Sequence, residues 1–199
     1  ADKIISIMST MSSYVTSACD IYCAKGVMNY LQIADGFMIV SDIEYATELC
    51  NILAEIQWKI LVNMNMLSRG AVTVGNVSVT NNGNLIIGPA YVDAYAMESE
   101  NAIYSRTIVS DTFIDETKNY LTFEYIQVDS DHVRYIDYIA YILGTQPVTT
   151  KSIKKMLVEQ GVIKLLRKNF EDKSAEKLSV KQKYGWTISL LKKNKIDNI

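Results

Sequence analysis

Apolar residues near the start of the chain recur every three or four positions, with serine and threonine filling much of the space between them. The apolar set is Ile4, Met8, Met11, Val15, Ala18 and Tyr22. This spacing predicts a helix with one buried stripe, which ends at Lys25-Gly26. After the helix, residues 27–33 and 37–40 are two apolar runs joined by Ala-Asp-Gly, a sequence that turns easily. They predict an antiparallel β-hairpin.

A second helix is predicted from Ser41 to about residue 66. Ser41 has Glu44 three positions later, which is the pattern of a capping box at a helix start. The apolar positions that follow have helical spacing and should be buried: Leu49, Ile52, Leu53, Ile56, Ile60 and Leu61.

Short β-branched runs dominate the middle of the chain. Residues 71–74 and 77–80 are predicted strands, and Asn-Asn-Gly-Asn at 81–84 predicts a tight hairpin turn because Asn and Gly tolerate positive φ. A third strand is predicted at 85–87. Gly88-Pro89 then indicates the start of a helix that runs to about residue 101, since Pro suits a first helical turn.

The remaining residues predict a strand at 107–109, a short helix at 111–120, and a hairpin of 121–128 with 133–138 around the acidic turn 129–132. Two helices, 151–169 and 174–194, are expected as an antiparallel pair. The chain is therefore predicted to be α+β, with one domain over residues 1–144 and a helical hairpin, 151–199, packed on the same domain. One further strand upstream of the first helix would complete the β-α-β-β-α-β ferredoxin-like plan.

Composition excludes several classes of function. The 199 residues are 49% hydrophobic, which suffices for a core, and a net charge of −2 argues against nucleic acid as a partner. Basic residues between Lys151 and Lys195 are better explained as a solvated helical face than as a phosphate or membrane patch. Three cysteines and a single histidine favour small buried hydrophobes in a reducing cytoplasm over disulfides or a zinc site. No apolar run is long enough to predict a membrane span.

Few residues remain as candidates for chemistry. Glycine-rich phosphate loops are absent, and His132 has no sequence partner that would make it part of a nucleophilic triad. The acidic turn that precedes it lacks the later glutamate of a calcium loop. Asp35, at the tip of the first predicted hairpin, is the exception. Beside Gly36, its carboxylate leaves room for a metal ion and a phosphate to approach the backbone, although an Asp-Gly turn on its own is more often only a turn.

Several motifs together resemble the Pycsar-type pyrimidine nucleotide cyclases of bacterial anti-phage signalling, a branch of the class III adenylate and guanylate cyclases. They are Arg-Gly-Ala-Val-Thr-x-Gly at 69–75, Ile-Gly-Pro-Ala at 87–90, Ala-Tyr-x-Met-Glu at 94–98 and Ala-x-x-Ser-Arg at 102–106. Their order and spacing carry the resemblance, which implies a ferredoxin-like cyclase domain. Asp129-x-Asp131 and Lys183-Tyr184-x-Trp186 extend it over nearly the whole chain.

The resemblance also implies site residues. Ile-Ala-Asp-Gly-Phe-Met at 33–38 is similar to the hairpin whose aspartate is one of two carboxylates that hold a pair of Mg²⁺ or Mn²⁺ ions. Asp35 would then be a metal ligand, with Gly36 and Phe37 beside the substrate. The strand with the other metal aspartate would lie upstream of the first helix. Asp2 lacks that context and is not proposed as a ligand.

Residue types at the positions that contact the base in related cyclases indicate which nucleotide base is expected. Purine cyclases carry polar groups that contact the purine edge at the positions of Leu31 and Leu85, and unpaired buried polar groups cost about 1–3 kcal/mol each. Leucines there disfavour a purine. Val92 and Ala96 depart from the purine branch as well. The expected substrate is UTP, or second CTP.

Further roles follow from the same resemblance. Arg69 and Arg106 would counter phosphate charge, unless each is buried in an ion pair, while Asp93 and Tyr95 lie on the helix that faces the nucleotide in related folds. A homodimer is expected, with each active site between protomers. Two alternatives stay open: a cyclase-like domain that binds nucleotide or dimerises without catalysis, and a purely structural module.

Overall fold

The first helix and the first hairpin form as predicted. The computed structural model describes residues 2–80, 85–171 and 178–196. Helix α1 spans Asp2–Cys23 and buries Met11, Val15 and Cys19 along one side. Strands β1 (Met28–Ile33) and β2 (Gly36–Ser41) pair antiparallel, so that Ile33 lies opposite Gly36.

The predicted capping box at Ser41 is wrong. Ser41 is the last residue of β2, and a short 3₁₀ helix at Ile43–Tyr45 follows before α2 begins at Ala46. Asp42 stands at the N-cap of the 3₁₀ helix without a side-chain hydrogen bond. Pairing with β1 therefore prevails over the local capping signal.

Helix α2 (Ala46–Met64) is the most buried helix of the described chain, because it contacts both α1 and α5. Five of the six predicted core positions are buried, and Leu53 is partly buried beside a cavity. Gln57 is buried as well. Its amide donates to the carbonyls of Ser68 (3.1 Å) and Ser105 (3.4 Å), and so fixes two segments that each precede a strand to α2.

Within the described residues the strands form three sheets. The largest has the order β3-β6-β8-β7, with strands at Gly70–Val72, Thr107–Val109, Arg134–Ile136 and Ile126–Val128. Strands β3 and β6 are parallel, whereas β8 is antiparallel to both of its neighbours. The β7–β8 hairpin around the acidic turn is thus confirmed, with shorter strands than expected. An α+β fold is confirmed too.

The other predicted hairpin joins β4 (Ser78–Thr80) to β5 (Leu85–Ile87) in a two-stranded sheet of its own. Its turn, residues 81–84, lies outside the described residues. Helix α3 (Pro89–Ala96) follows with Pro in its first turn, and a single π-helical turn at Met97–Asn101 continues it to the predicted end.

Position 88, just before α3, requires glycine because of its backbone conformation and the atoms close to it. It has a φ of 147°, and a Cβ there would lie 2.5 Å from the carbonyl oxygen of Asn76 and 2.8 Å from the Cα of Val77. We expect Gly88→Ala to lower the free energy of unfolding by about 2–4 kcal/mol, since neither contact can relax by a side-chain rotation. Denaturant unfolding measures this.

Gly26 supplies the matched control for that variant. It also has positive φ, 75°, but a Cβ there would meet nothing within 4 Å. Gly26→Ala should therefore cost only the backbone term, about 1 kcal/mol. Equal losses for the two variants would contradict a close approach at Gly88.

Among the described residues after the hairpin there are four helices where two were predicted. Helix α4 (Asp111–Thr117) precedes β7, and α5 (Tyr138–Thr145) follows β8 directly. The expected helix 151–169 is divided into α6 (Thr150–Glu159) and α7 (Val162–Glu171), because Gly161 takes a left-handed φ of 74°. Helix α8 (Leu178–Lys193) packs on α7. Buried residues of α6, α7 and α8 belong to the same core as α2. No helix in the described ranges is long and apolar enough to cross a membrane.

Candidate functional site

A large cavity of about 1250 Å³ lies between the first hairpin and the main sheet. Helices α1 and α2 line it with apolar side chains, while β2 lines one side and β3 the other. Residues along one side of α3, from Ala90 to Tyr95, and Glu98 just after it also line the cavity, and Lys183 of α8 reaches it. Four of the predicted site residues, Asp35, Gly36, Phe37 and Arg69, therefore share one cavity although they come from two separate sheets. Tyr95 lines it too.

Asp35 stands on a strained turn. The pairing of Ile33 with Gly36 leaves a two-residue loop, Ala34-Asp35, in which Ala34 has a φ of 51°. That conformation costs a non-glycine residue about 1 kcal/mol or more. The Asp35 side chain is exposed at the tip. The hairpin thus presents a solvated carboxylate at the cavity.

Arg69 is the basic residue at the same cavity, and it is already in an ion pair. Its Nε lies 2.6 Å from Oε1 of Glu98, and its Nη1 donates to the carbonyl of Ala102 at 3.2 Å. About one third of the side chain stays exposed. Arg69 therefore ties β3 to the helix α3 region, and a phosphate would compete with Glu98 for it.

The structure does not bring the other predicted residues into this cavity. Leu31 lies in β1 opposite Met38, Leu85 begins β5 and is 46% exposed, and Asp93 is exposed on α3. Of the described residues that line the cavity, none is Leu31, Leu85, Asp93 or Arg106.

Arg106 is fully buried and belongs to a separate network. Its two terminal nitrogens donate to the carboxylates of Asp129 and Asp131, and its guanidinium carbon lies 4.9 Å from the ring centre of Tyr104. The ring of Trp186 stacks on the same tyrosine, with the two ring centres 6.3 Å apart. Its indole N–H donates to Asp129 at 2.6 Å. The ion-pair alternative for Arg106 is the arrangement that the structure shows.

This network joins residues that are far apart in the sequence. Asp129, Asp131 and Trp186 come from two separate segments, and all three surround one arginine. Burial acts to raise the pKa of Asp129, but hydrogen bonds from Trp186 and Ser130 and the Arg106 charge hold that pKa below its usual value. The carboxylate therefore stays ionised beside the arginine.

Lys183 lines the cavity, although it was not predicted as a site residue. It belongs to the Lys-Tyr-x-Trp motif, and the same helix places Trp186 in the Arg106 network and Lys183 at the cavity. The motif was the available signal, but nothing in its spacing shows which of its members faces a ligand.

Two of the three cysteines are buried as predicted, whereas Cys23 is only partly buried. Cys19 and Cys50 are buried, and burial raises the pKa of each thiol to about 12. Among the residues that the structure describes, no group of three or more His, Cys, Asp or Glu side chains is placed to hold a metal ion.

Comparisons with known proteins give no family for this chain. No protein-family model, no curated protein and no solved structure matches it.

Proposed function

We propose that the protein is a nucleotidyl cyclase that converts UTP, or second CTP, to the 3′,5′-cyclic monophosphate and pyrophosphate, as a second-messenger synthase in anti-phage defence. One observation carries the proposal: Asp35 and Arg69, assigned to the site by separate motifs, line one cavity from two different sheets. The ferredoxin-like architecture of that family, in a homodimer, belongs to the same proposal.

The cavity has the size that a nucleotide needs, and it contains cationic side chains beside the three carboxylates of Asp35, Asp42 and Glu98. Ligand pockets usually measure about 300–1,000 Å³, so one of about 1250 Å³ has room for a nucleoside triphosphate. Two cationic side chains, Arg69 and Lys183, line it. A triphosphate that binds near them would be partly neutralised, and it would draw Arg69 away from Glu98.

A divalent cation fits this site only in part. Mg²⁺ is commonly held by one or two carboxylates together with substrate phosphates, and the exposed Asp35 carboxylate supplies one such ligand. When bound, such an ion would activate the attacking hydroxyl and neutralise charge that develops on phosphate oxygens. The implied pair of Mg²⁺ or Mn²⁺ ions needs a second carboxylate, which the described residues around Asp35 do not form into a cluster.

The chain's own groups would act by binding and orientation. In the reaction the ribose 3′-hydroxyl loses its proton, its oxygen forms a bond to the α-phosphorus, and the bond from that phosphorus to pyrophosphate breaks. Arg69 and Lys183 would hold the departing pyrophosphate oxygens, where negative charge increases. The rigid Ala34-Asp35 turn would fix the position of its carboxylate relative to the α-phosphate.

Turnover of the four nucleoside triphosphates tests the proposal. With Mn²⁺ present, mass spectrometry should detect cyclic UMP as the main product. Discrimination against ATP and GTP in kcat/KM should reach about 10²-fold or more, because two unpaired purine groups would cost roughly 2–6 kcal/mol. ATP turned over as well as UTP would overturn the choice of base. Leu31 and Leu85 lie outside the cavity of one chain, so this prediction rests on the resemblance.

A nucleotide-binding domain without catalysis is the second candidate. The absence of a described carboxylate cluster beside Asp35 favours it. Calorimetry that detects UTP binding, combined with no cyclic product for any of the four nucleotides, would select this candidate over the enzyme.

An exposed apolar surface supports the proposed homodimer. Ile87 of β5 and Val92 and Tyr95 of α3 are 51%, 61% and 64% exposed, and Leu85 lies in the same strand as Ile87. A second copy of the chain would cover such a surface and place Leu85 and Tyr95 near a protomer boundary. Light scattering at micromolar concentration should give twice the monomer mass of 22.4 kDa. A monomer mass would contradict the dimer.

A further inference from the structure

Lys183 is the cationic side chain at the cavity that no described residue pairs. Arg69, the other cation that lines the cavity, already contacts the carboxylate of Glu98 at 2.6 Å. Within the described chain, Lys183 forms no ion pair with any carboxylate. An anion that enters the cavity can therefore bind Lys183 without displacing a described carboxylate, whereas at Arg69 it must compete with Glu98.

The position of Lys183 depends on how helix α8 is held. Its first residues, 178–180, are exposed, so packing holds this end of the helix weakly. Trp186 follows Lys183 by three residues and lies on the same side of the helix. Its indole N–H donates to Asp129 at 2.6 Å. Tyr184 packs on the core, but no α8 side chain before Trp186 is hydrogen-bonded to another element of the described chain. The Trp186 hydrogen bond is therefore the directional contact closest to Lys183.

The acceptor of that hydrogen bond is itself fixed. Asp129 also accepts a hydrogen bond from Arg106, which is fully buried. Ser105 and Thr107, on either side of Arg106, line the cavity, so the Arg106 network and the cavity lie on opposite sides of one short segment. Trp186 thus connects α8 to the residues that form this part of the cavity wall.

We propose that Trp186 is a positioning residue for Lys183. Its hydrogen bond to Asp129 holds the first half of α8 where the Lys183 ammonium group contacts phosphate groups bound in the cavity. Without that bond, Lys183 has to be ordered when the anion binds, and the ordering weakens the affinity. This inference rests on the proposed nucleotide function, and it adds that phosphate affinity depends on a contact outside the cavity.

A double-mutant cycle with inorganic triphosphate tests the proposal, because this probe needs neither a base nor turnover. Isothermal titration calorimetry on the whole chain is the measurement. Lys183→Met should weaken binding at least about tenfold, since it removes a charged hydrogen-bond donor. Trp186→Phe, which keeps an aromatic ring but removes the N–H donor, should weaken it about fivefold. In the double variant, Trp186→Phe should add no loss to that of Lys183→Met, because a positioning residue acts only through the residue that it positions.

Three further variants serve as controls. Asn194→Ala removes a hydrogen bond to Asp137, 3.1 Å long, just beyond the other end of α8, and changes no charge, so affinity should stay within about twofold. Arg69→Met should weaken binding, which shows that the anion lies in the cavity. Asp129→Asn keeps the shape of the acceptor but weakens it, and its loss should again be larger when Lys183 is present. Circular dichroism and the unfolding midpoint check that every variant folds, and Asp129→Asn replaces Trp186→Phe in the cycle if the latter does not.

Four results would overturn the inference. If Trp186→Phe binds triphosphate as the unchanged protein does while Lys183→Met does not, Trp186 has no positioning role, and the proposed function stands. If Trp186→Phe causes the same loss with and without Lys183, its effect is on the fold alone. If neither Lys183→Met nor Arg69→Met weakens binding, the anion lies outside the cavity. If the unchanged protein binds no triphosphate at millimolar concentration, the proposed function fails together with the inference.

Discussion

Replacing Arg106 by alanine should lower the free energy of unfolding by about 3 kcal/mol. Removing one member of a buried ion pair costs about 3–5 kcal/mol when the other is left unpaired. The value falls at the lower end here because Asp129 and Asp131 are 21% and 36% exposed and can regain some water. Urea or guanidinium unfolding provides the measurement.

Arg134 offers a matched control for this variant. It also pairs with an aspartate, Asp111, at 2.6 Å, but the two side chains are 40% and 82% exposed. Arg134→Ala should cost no more than about 1 kcal/mol, because water replaces an exposed partner. Arg106→Met separates packing from charge, since methionine fills much of the volume beside Tyr104 and Trp186. If Arg106→Ala cost no more than Arg134→Ala, the network would not be a stabilising one.

Asp35→Asn should abolish nucleotide cyclisation without unfolding the protein. The amide keeps the size of the side chain at an exposed turn but removes the negative charge that a divalent cation needs. Turnover of UTP with Mn²⁺ is the measurement, and circular dichroism and the unfolding midpoint should match those of the unchanged protein.

Asp115→Asn is the control for that loss, because Asp115 is an exposed aspartate on α4 outside the cavity. It should retain full activity. If Asp35→Asn kept activity within about tenfold of the unchanged protein, Asp35 would be excluded as a metal ligand, since loss of a needed ligand carboxylate costs more than that.

Local patterns were sufficient where each element depends on its own sequence. The stripe from Ile4 to Tyr22 predicted α1, because one side of that helix, with Met11, Val15 and Cys19, is buried. The two apolar runs joined by Ala34-Asp35-Gly36 predicted β1 and β2, and Pro89 marked the start of α3. In each case the determining interactions lie within the element or between adjacent elements.

The secondary-structure predictions were wrong where tertiary packing determines the conformation. Residues 133–138 were predicted to form a strand, yet α5 begins at Tyr138. The periodicity of a short apolar run does not distinguish a strand from a buried helix. The Asp137 side chain accepts a hydrogen bond from the N–H of Ala140, so a capping signal was present but weak beside that run. Which neighbour β3 pairs with also depends on β6, more than thirty residues later.

The residues of the candidate site could be selected from the sequence, but the groups that each of them contacts could not. Motif order selected Asp35, Arg69 and Arg106 together, but only the fold separates them. Arg69 and Arg106 are both arginines that follow apolar or small residues, and nothing in the sequence shows that one faces a cavity and the other two aspartates. Burial and pairing are properties of the assembled structure.

The Arg106 network also limits when the protein can finish folding during its synthesis. Arg106 obtains its carboxylate partners once residue 131 has been made, but the indole that bonds to Asp129 comes from residue 186, 55 residues later (186 − 131 = 55). At about 5–20 residues per second, a ribosome needs roughly 3–11 s for that interval. Until then Asp129 lacks the hydrogen bond from Trp186, so the network is completed only after α8 has been translated.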